Sequence, residues 1–392
     1  NKKFLMEIVC NQGELNNAIQ LVSKAVATRP THPILANVLI TADEVTKKVS
    51  LTGFDLNLGI QTSFDATVNK SGAITIPSKL LSEIVNKLPN ESPVSIIVED
   101  FSDNILLKSD RGSFNLKGLA SDDYPKLPFV ESGTSLDVNP NLLITALKMT
   151  LFSSSNDESK QLLTGVNFKF KKEILESAAT DGHRLAVILS NDNNDNQSQS
   201  LDSSDLSHDD FSVTIPTRSL REIEKLVSLK TSDEKIKLFY DKGQVVFISS
   251  NQIITTRTLE GNYPNYYQLI PDSFSKIFKF ETRGFIESLE RIAVLADQQS
   301  SVVKIKFNED NFALITADAQ DIGNAHETLP VSFSGEKIEI AFNVKYLLEG
   351  LKVISSEYVL LKCNNPTTPA VLVPEDNKLS FTYLVMPVQV RS

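Results

Sequence analysis

The sequence has no tryptophan, two cysteines, four histidines and no long apolar run, and the last three scarcities each argue against a class of function. Cys10 and Cys363 stand at opposite ends with no CxxC or Cys/His spacing, which excludes a disulfide framework and argues against a zinc site. His32, His183, His208 and His326 show no metal-ligand spacing, and a P-loop, a GxSxG elbow and a dinucleotide fingerprint are all missing. No metal, cofactor or catalytic constellation is therefore expected; the nearest approach to an acid/base pair is Asp181 with His183. The apolar runs fall far short of the roughly 20 residues that span a bilayer. The stretch NKKFLMEIVCNQGEL lacks an apolar signal core followed by a small-residue cleavage site, so a cytoplasmic protein without membrane contact is expected. Basic residues are also outnumbered: the formal charge of −10 argues against simple adhesion to DNA, although it allows a local basic surface.

What is present is ordinary globular composition, 41% hydrophobic and 22% charged, in a chain of 392 residues that is too long for one core. Its order repeats. A strand (KFLMEIV) precedes a helix from Glu14 with Leu15, Ala18, Ile19, Val22, Ala25 and Val26 at helical spacing. Short strands then lead to a second helix, SKLLSEIVNKL, with Pro77 just before it and Leu80, Leu81, Ile84, Val85 and Leu88 predicted on one face. Three more strands end at DDYPKLPFVESG. The second unit opens with SLDV and with Asn139-Pro140, an N-cap residue and first-turn proline, before NLLITALKMTLFS. It continues through FSVTIPTRSLREI, the counterpart of GAITIPSKLLSEI, to NYPNYYQLIP, the counterpart of DYPKLP. A third unit follows the same plan, and Leu81, Leu220 and Leu347 match at separations of 139 and 127 residues. A period this long means tandem domains, not a solenoid of small units. The expected fold class is α+β, with domains at 1–131, 132–272 and 273–392.

Two stretches stand out, the first within the pattern and the second breaking it. Ala178–Leu189, AATDGHRLAVIL, sets a polar cluster against an apolar run. It reads as a turn at Gly182 followed by a buried strand, with His183 and Arg184 at the strand entrance. Residues 190–210 hold six aspartates and no Lys or Arg, which reads as a mobile surface loop within the second domain. The Gly-and-Glu spacing of an EF-hand is missing from it.

The segments RPTHPILANVL, LTGFDLNLG, SDDYPKLP, ATDGHRLAV, GFIESLERIAVLAD, IAFNVKYLL and YLVMPVQVR, in this order along all three repeats, resemble the bacterial DNA polymerase III β subunit family, the sliding clamps. The resemblance implies DNA-clamp domains, each with two helices backed by antiparallel sheets. It implies a head-to-tail homodimer closing into a six-domain ring around double-stranded DNA, without sequence reading. The implied partners are the DNA polymerase III catalytic subunit, the clamp loader, and other polymerases and repair proteins carrying a clamp-binding peptide rich in Gln, Leu and Phe.

Carried over residue by residue, the resemblance places a peptide pocket at Leu163, Thr180, Gly182, His183, Arg184, Leu185, Pro264, Leu384 and Met386. In it Leu185, Pro264 and Met386 would form an apolar floor beside His183. Gln268-Leu269 replaces a basic-plus-Val pair common in the family, and Lys160 replaces a common Arg. The dimer joint would use Phe114 and Leu116, two apart on one strand face, against Val294 and Leu295. The six helix segments carry a summed charge of +5 in a chain of −10, which favours a positive inner wall, with Arg29, Lys79, Lys148, Arg218, Arg221 and Lys225 facing DNA. Two rival readings are an enzyme using Asp181 and His183, and an interaction scaffold that binds no DNA.

Overall fold

The computed structural model describes residues 4–99, 104–130, 133–171, 174–191, 211–228, 234–241, 243–296, 300–307, 311–319, 322–376 and 378–389. The predicted acidic loop falls, from 192 onward, outside the described residues. One element order occurs three times, with one short extra strand between the two helices of the first and third repeats. The first repeat comprises β1 (Phe4–Asn11), α1 (Gln12–Val22), β2 (Asn37–Asp43), β3 (Lys48–Phe54), β4 (Leu58–Asp65), β5 (Thr67–Lys70), β6 (Gly72–Pro77), α2 (Ser78–Val85), β7 (Pro93–Glu99), β8 (Asn104–Ser109) and β9 (Gly112–Lys117). The second comprises β10 (Thr134–Val138), α3 (Pro140–Thr150), β11 (Gly165–Lys171), β12 (Ile174–Thr180), β13 (Arg184–Asn191), β14 (Phe211–Pro216), α4 (Thr217–Ser228), β15 (Ile236–Asp241), β16 (Gln244–Ser249) and β17 (Gln252–Arg257). The third comprises β18 (Lys276–Glu281), α5 (Thr282–Ala296), β19 (Val302–Phe307), β20 (Phe312–Ala319), β21 (Gly323–Pro330), β22 (Ser332–Ser334), β23 (Glu339–Asn343), α6 (Val344–Leu351), β24 (Tyr358–Cys363), β25 (Ala370–Pro374) and β26 (Ser380–Val385).

Two helices start where a side chain satisfies first-turn amides: at α1 Asn11 accepts from Gly13 N, and at α6 Asn343 accepts from Lys345 N and Tyr346 N. Within each repeat the two helices pack on one another, α1 with α2, α3 with α4 and α5 with α6. Leu81, Leu220 and Leu347 are fully buried in these pairs, as the repeat predicts. The buried face of α2 is narrower than predicted: Leu81 and Val85 are inside while Leu80 is exposed, because a helix of eight residues presents a stripe and not half its surface. Cys10 and Cys363 are free thiols, and burial pushes them up to about 12 and about 11, out of the range of a reactive thiolate.

The chain packs as two compact units, and their limits cut across the middle repeat. The first holds 1–139 and 231–258; the second holds 140–230 and 259–392. The physical reason is main-chain pairing. In the first unit β17 pairs antiparallel with β4, so the sheet runs β10-β15-β16-β17-β4-β3-β2-β6, beside a five-stranded sheet β5-β1-β7-β8-β9. In the second unit β13 pairs with β26, giving β14-β11-β12-β13-β26-β25-β24-β18-β22, beside β21-β20-β19-β23.

One helical glycine tests this packing. Gly350 in α6 faces the Tyr383 ring of β26, and a Cβ there would lie 2.0 Å from Tyr383 Cε1. Tyr383 is itself buried, its hydroxyl donating 2.8 Å to Tyr346 O and its ring 5.4 Å from that of Phe152. Gly→Ala inside a helix ordinarily stabilises by about 1 kcal/mol. Here overpacking should reverse the sign and cost about 1–3 kcal/mol. Thermal unfolding of Gly350→Ala is expected at a lower temperature than wild type; an unchanged or raised midpoint would contradict this packing.

Candidate partner-binding site

The β12–β13 turn is built by its own side chains. Thr180 Oγ1 donates to Arg184 O (2.6 Å) and accepts from Gly182 N (3.1 Å). Asp181 Oδ1 accepts from His183 N (2.8 Å) and Arg184 N (3.1 Å). Gly182 takes φ +94°, the positive value its turn position predicts, and the space beside its Cα is nearly open. His183 is left exposed, its ring stacked 6.3 Å from that of Tyr346. Its carbonyl accepts from Met386 N (2.9 Å), which extends the β13–β26 pairing one step and fixes Met386 beside the turn. Lys160 reaches the same turn, Nζ donating 3.3 Å to Asp181 O.

Arg184 does not face a ligand, contrary to its place in the predicted pocket. Its side chain is buried, with Nε donating to Asp181 Oδ2 (3.0 Å), Nη2 to Phe152 O (2.7 Å) and Nη1 to Glu349. The guanidinium lies over Tyr346 (4.5 Å) and Phe152 (5.6 Å). Burial alone would lower its pKa; Tyr383 and Glu349 more than offset that, and the net shift is upward. Asp181 is equally committed to backbone amides and to Arg184, so the geometry gives no support to an Asp181–His183 acid/base pair.

The predicted apolar floor also needs correction. Leu185 is 1% exposed and Leu384 3%, packed with Ala178, Val187, Tyr266 and Val371. β13 is an interior strand with β12 and β26 on its two sides, so Leu185 belongs to the core beneath the site. The apolar groups offered to solvent are Pro264, Leu269 and Met386, the last 38% exposed, with Tyr263, Tyr267 and Ile270 partly exposed over the core. Leu163, half-buried on a 3₁₀ turn, holds that turn by accepting at its carbonyl from Ser155 N (2.8 Å). The nine predicted residues thus divide into exposed Gly182, His183, Pro264 and Met386, partly exposed Leu163, and buried Thr180, Arg184, Leu185 and Leu384. Sequence reasoning missed Phe152, Tyr346 and Glu349, which hold Arg184, and the tyrosines of 263–267, three of the eight in the chain, whose crowding was a readable signal.

The remaining predicted residues are placed as follows. In the first unit Arg29 is exposed after α1 and Lys79 on the first turn of α2. In the second, Lys148 is exposed on α3, and Arg218, Arg221 and Lys225 line one face of α4 opposite buried Leu220, Ile223 and Val227. Lys225 also pairs with Glu222 at 3.0 Å. Phe114 and Leu116 share one face of β9, but Leu116 is buried within its own unit. Val294 is exposed and Leu295 half-buried near the end of α5. Among the described residues no group of three or more His, Cys, Asp or Glu could hold a metal, and no helix is long and apolar enough to cross a membrane.

Three family models match the chain in order: the N-terminal domain of the DNA polymerase III beta subunit at residues 6–128, its central domain at 137–265 and its C-terminal domain at 267–389. A beta sliding clamp of Synechococcus elongatus is 46% identical over 99% of this chain and 100% of its own length. That of Bacillus subtilis is 30% identical over 98% and 100%. A crystal structure of the Bacillus subtilis DNA polymerase sliding clamp superposes with a TM-score of 0.88 at 29% identity, over 98% of this chain and 100% of that one. One of the Pseudomonas aeruginosa sliding clamp bound to griselimycin gives 0.86 at 25% identity, with the same coverage. The chain belongs to the DNA polymerase III beta subunit family, the beta sliding clamps.

Proposed function

We propose that the chain is a non-catalytic processivity factor of the cytoplasm, two copies of which close head to tail around duplex DNA while partner peptides dock at His183, Pro264 and Met386. Its three repeats correspond to domains at 1–131, 132–272 and 273–392. The partners that fit are the polymerase III catalytic subunit, the clamp loader, and other polymerases and repair proteins with Leu/Phe-anchored peptides.

The observation that carries this reading is a missing third junction. The last strand of the second repeat, β17, pairs with β4 of the first; the last strand of the third, β26, pairs with β13 of the second. By the same rule β9, the last strand of the first repeat, should pair with β21 of the third, yet each stands at the edge of its sheet. Equal two-residue turns, Ser109↔Gly112 and Ser249↔Gln252, align β9 with β17 and make Phe114 the counterpart of Ile254. Ile254 is 3% exposed beside β4, whereas Phe114 is 37% exposed. A second copy adding its β21 to β9 would cover Phe114 and would pair both strands of the missing junction. Exposed cations on α2, α3 and α4 give such an assembly sequence-independent phosphate contacts.

The joint is tested at Phe114. Leu116→Lys is unsuitable, because Leu116 is 7% exposed in the lone chain and the change would damage its own core. Phe114→Lys places a charge that is solvated in a monomer and buried in a dimer, at a cost of several kcal/mol, on the order of an unpaired buried charge. Sedimentation at sub-micromolar concentration should show the monomer with its melting temperature little changed; an intact dimer would place the joint elsewhere.

The docking surface is tested at Met386. A fluorescent Gln-Leu-x-Leu-Phe peptide should bind Met386→Ala about tenfold more weakly, since ~1.4 kcal/mol of lost apolar contact is a factor of ten. Equal affinities would mean that the peptide docks elsewhere.

A further inference from the structure

Glu176 lies inside β12 with no exposed side-chain surface, the one charged residue of that strand. Across the ladder it faces Lys169 of β11, whose ammonium donates to Glu176 Oε1 and to Tyr266 Oη, each at 2.9 Å. Tyr266 donates to Oε1 and Tyr267 to Oε2, so both carboxylate oxygens are occupied by donors. The ammonium also lies 4.6 Å and 5.1 Å from the two ring centroids. Burial first, and the Glu176 carboxylate second, raise the Tyr266 phenol; burial and the hydrogen bond to Glu176 raise that of Tyr267, keeping both hydroxyls protonated donors.

These bonds tie down a stretch with little regular structure. Residues 261–275 contain no strand and a single 3₁₀ turn, Tyr266–Leu269. Side chains attach this stretch to β12: the Tyr263 hydroxyl accepts from Thr180 N (3.1 Å), and Tyr266 and Tyr267 bind Glu176. Exposed Pro264 lies two residues before this pair and exposed Leu269 two after it. With Glu176 fully buried and the Lys169 side chain only 25% exposed, the ion pair is weak as a source of stability, because desolvation of the carboxylate offsets the attraction. Its directional bonds do specify where the two tyrosines sit, and with them the apolar rim.

We propose that Glu176, seated among Lys169, Tyr266 and Tyr267, is a positioning residue that preforms the Pro264–Leu269 rim for an incoming Leu/Phe-anchored peptide. The inference rests on the peptide-docking reading above. Where the rim is held in its docking-competent form, the peptide binds without first ordering it; where it is loosened, the apparent affinity falls by the competent fraction.

The test uses the full chain and the same fluorescent peptide, with amide hydrogen exchange as a second readout. Glu176→Gln removes one acceptor and leaves Lys169 without its counter-ion. Tyr267→Phe deletes a single hydroxyl and keeps ring and carboxylate, so it carries the test if the first variant fails to fold. Tyr124→Phe, which loses a hydroxyl bonded to Thr52 O in the first unit, is the control. Expected for Glu176→Gln and Tyr267→Phe are a five- to tenfold weaker peptide, faster exchange across 261–270 in the free protein, and restored protection there when peptide saturates. Tyr124→Phe should bind as wild type. If Met386→Ala weakens binding but Glu176→Gln and Tyr267→Phe do not, or if exchange across 261–270 is unchanged in both, the positioning role is overturned and the docking surface stands. If Met386→Ala also binds as wild type, the docking reading fails and takes this inference with it.

Discussion

The main-chain pairing of β13 with β26 is the interaction on which the candidate site depends. Six residue pairs, from Arg184↔Val385 to Leu189↔Ser380, join a strand of the second repeat to the last strand of the third. The pairing places Leu185 beside Leu384 and so forms the core under the site. One hydrogen bond further, from Met386 N to His183 O, it sets Met386 against the histidine turn. Arg184 anchors the same seam, reaching Phe152 O in the 3₁₀ turn that follows the first helix of the second repeat and Glu349 on the last helix of the third. A site made in this way is rigid where its backbone belongs to the sheet, and depends on side-chain struts where it does not.

The same strand logic, applied three times, explains why the chain is incomplete alone. Paired edges are stable and bare ones invite association. Two of the three equivalent junctions are made within the chain, and the strands of the third, β9 and β21, remain at sheet edges. Phe114 and Leu116 share one face of β9, yet Leu116 is buried in its own unit while Phe114, nearer the start of the strand, is 37% exposed. Charge follows a related economy: the chain is acidic as a whole, while four of its exposed cations, Lys148, Arg218, Arg221 and Lys225, sit on α3 and α4. That arrangement suits surrounding a polyanion without gripping it.

The threefold order was legible because helical periodicity and the recurring segments GAITIPSKLLSEI and FSVTIPTRSLREI are local signals, and Leu81, Leu220 and Leu347 are indeed equivalent core positions. The turn at Gly182 was legible from the residue type its φ requires. What the sequence could not show was depth. Arg184 and Leu185 follow an exposed histidine by one and two residues, yet both are buried, because burial depends on β26, about two hundred residues away. The division into compact units was hidden for the same reason, since β17 pairing with β4 is a long-range event. Glu176 left a trace, a lone carboxylate in ILESAAT, but its partners at 266 and 267 are ninety residues further on.

The central claim is that the chain holds DNA by topology. The direct measurement is retention on a closed circular duplex before and after a single linearising cut, at about 0.2 M salt, where phosphate contacts alone are strongly weakened. The account predicts that protein loaded on the circle stays with it through gel filtration and is released once the ends are free. Equal retention on circle and linear product would contradict it, and would make the protein an ordinary electrostatic DNA binder.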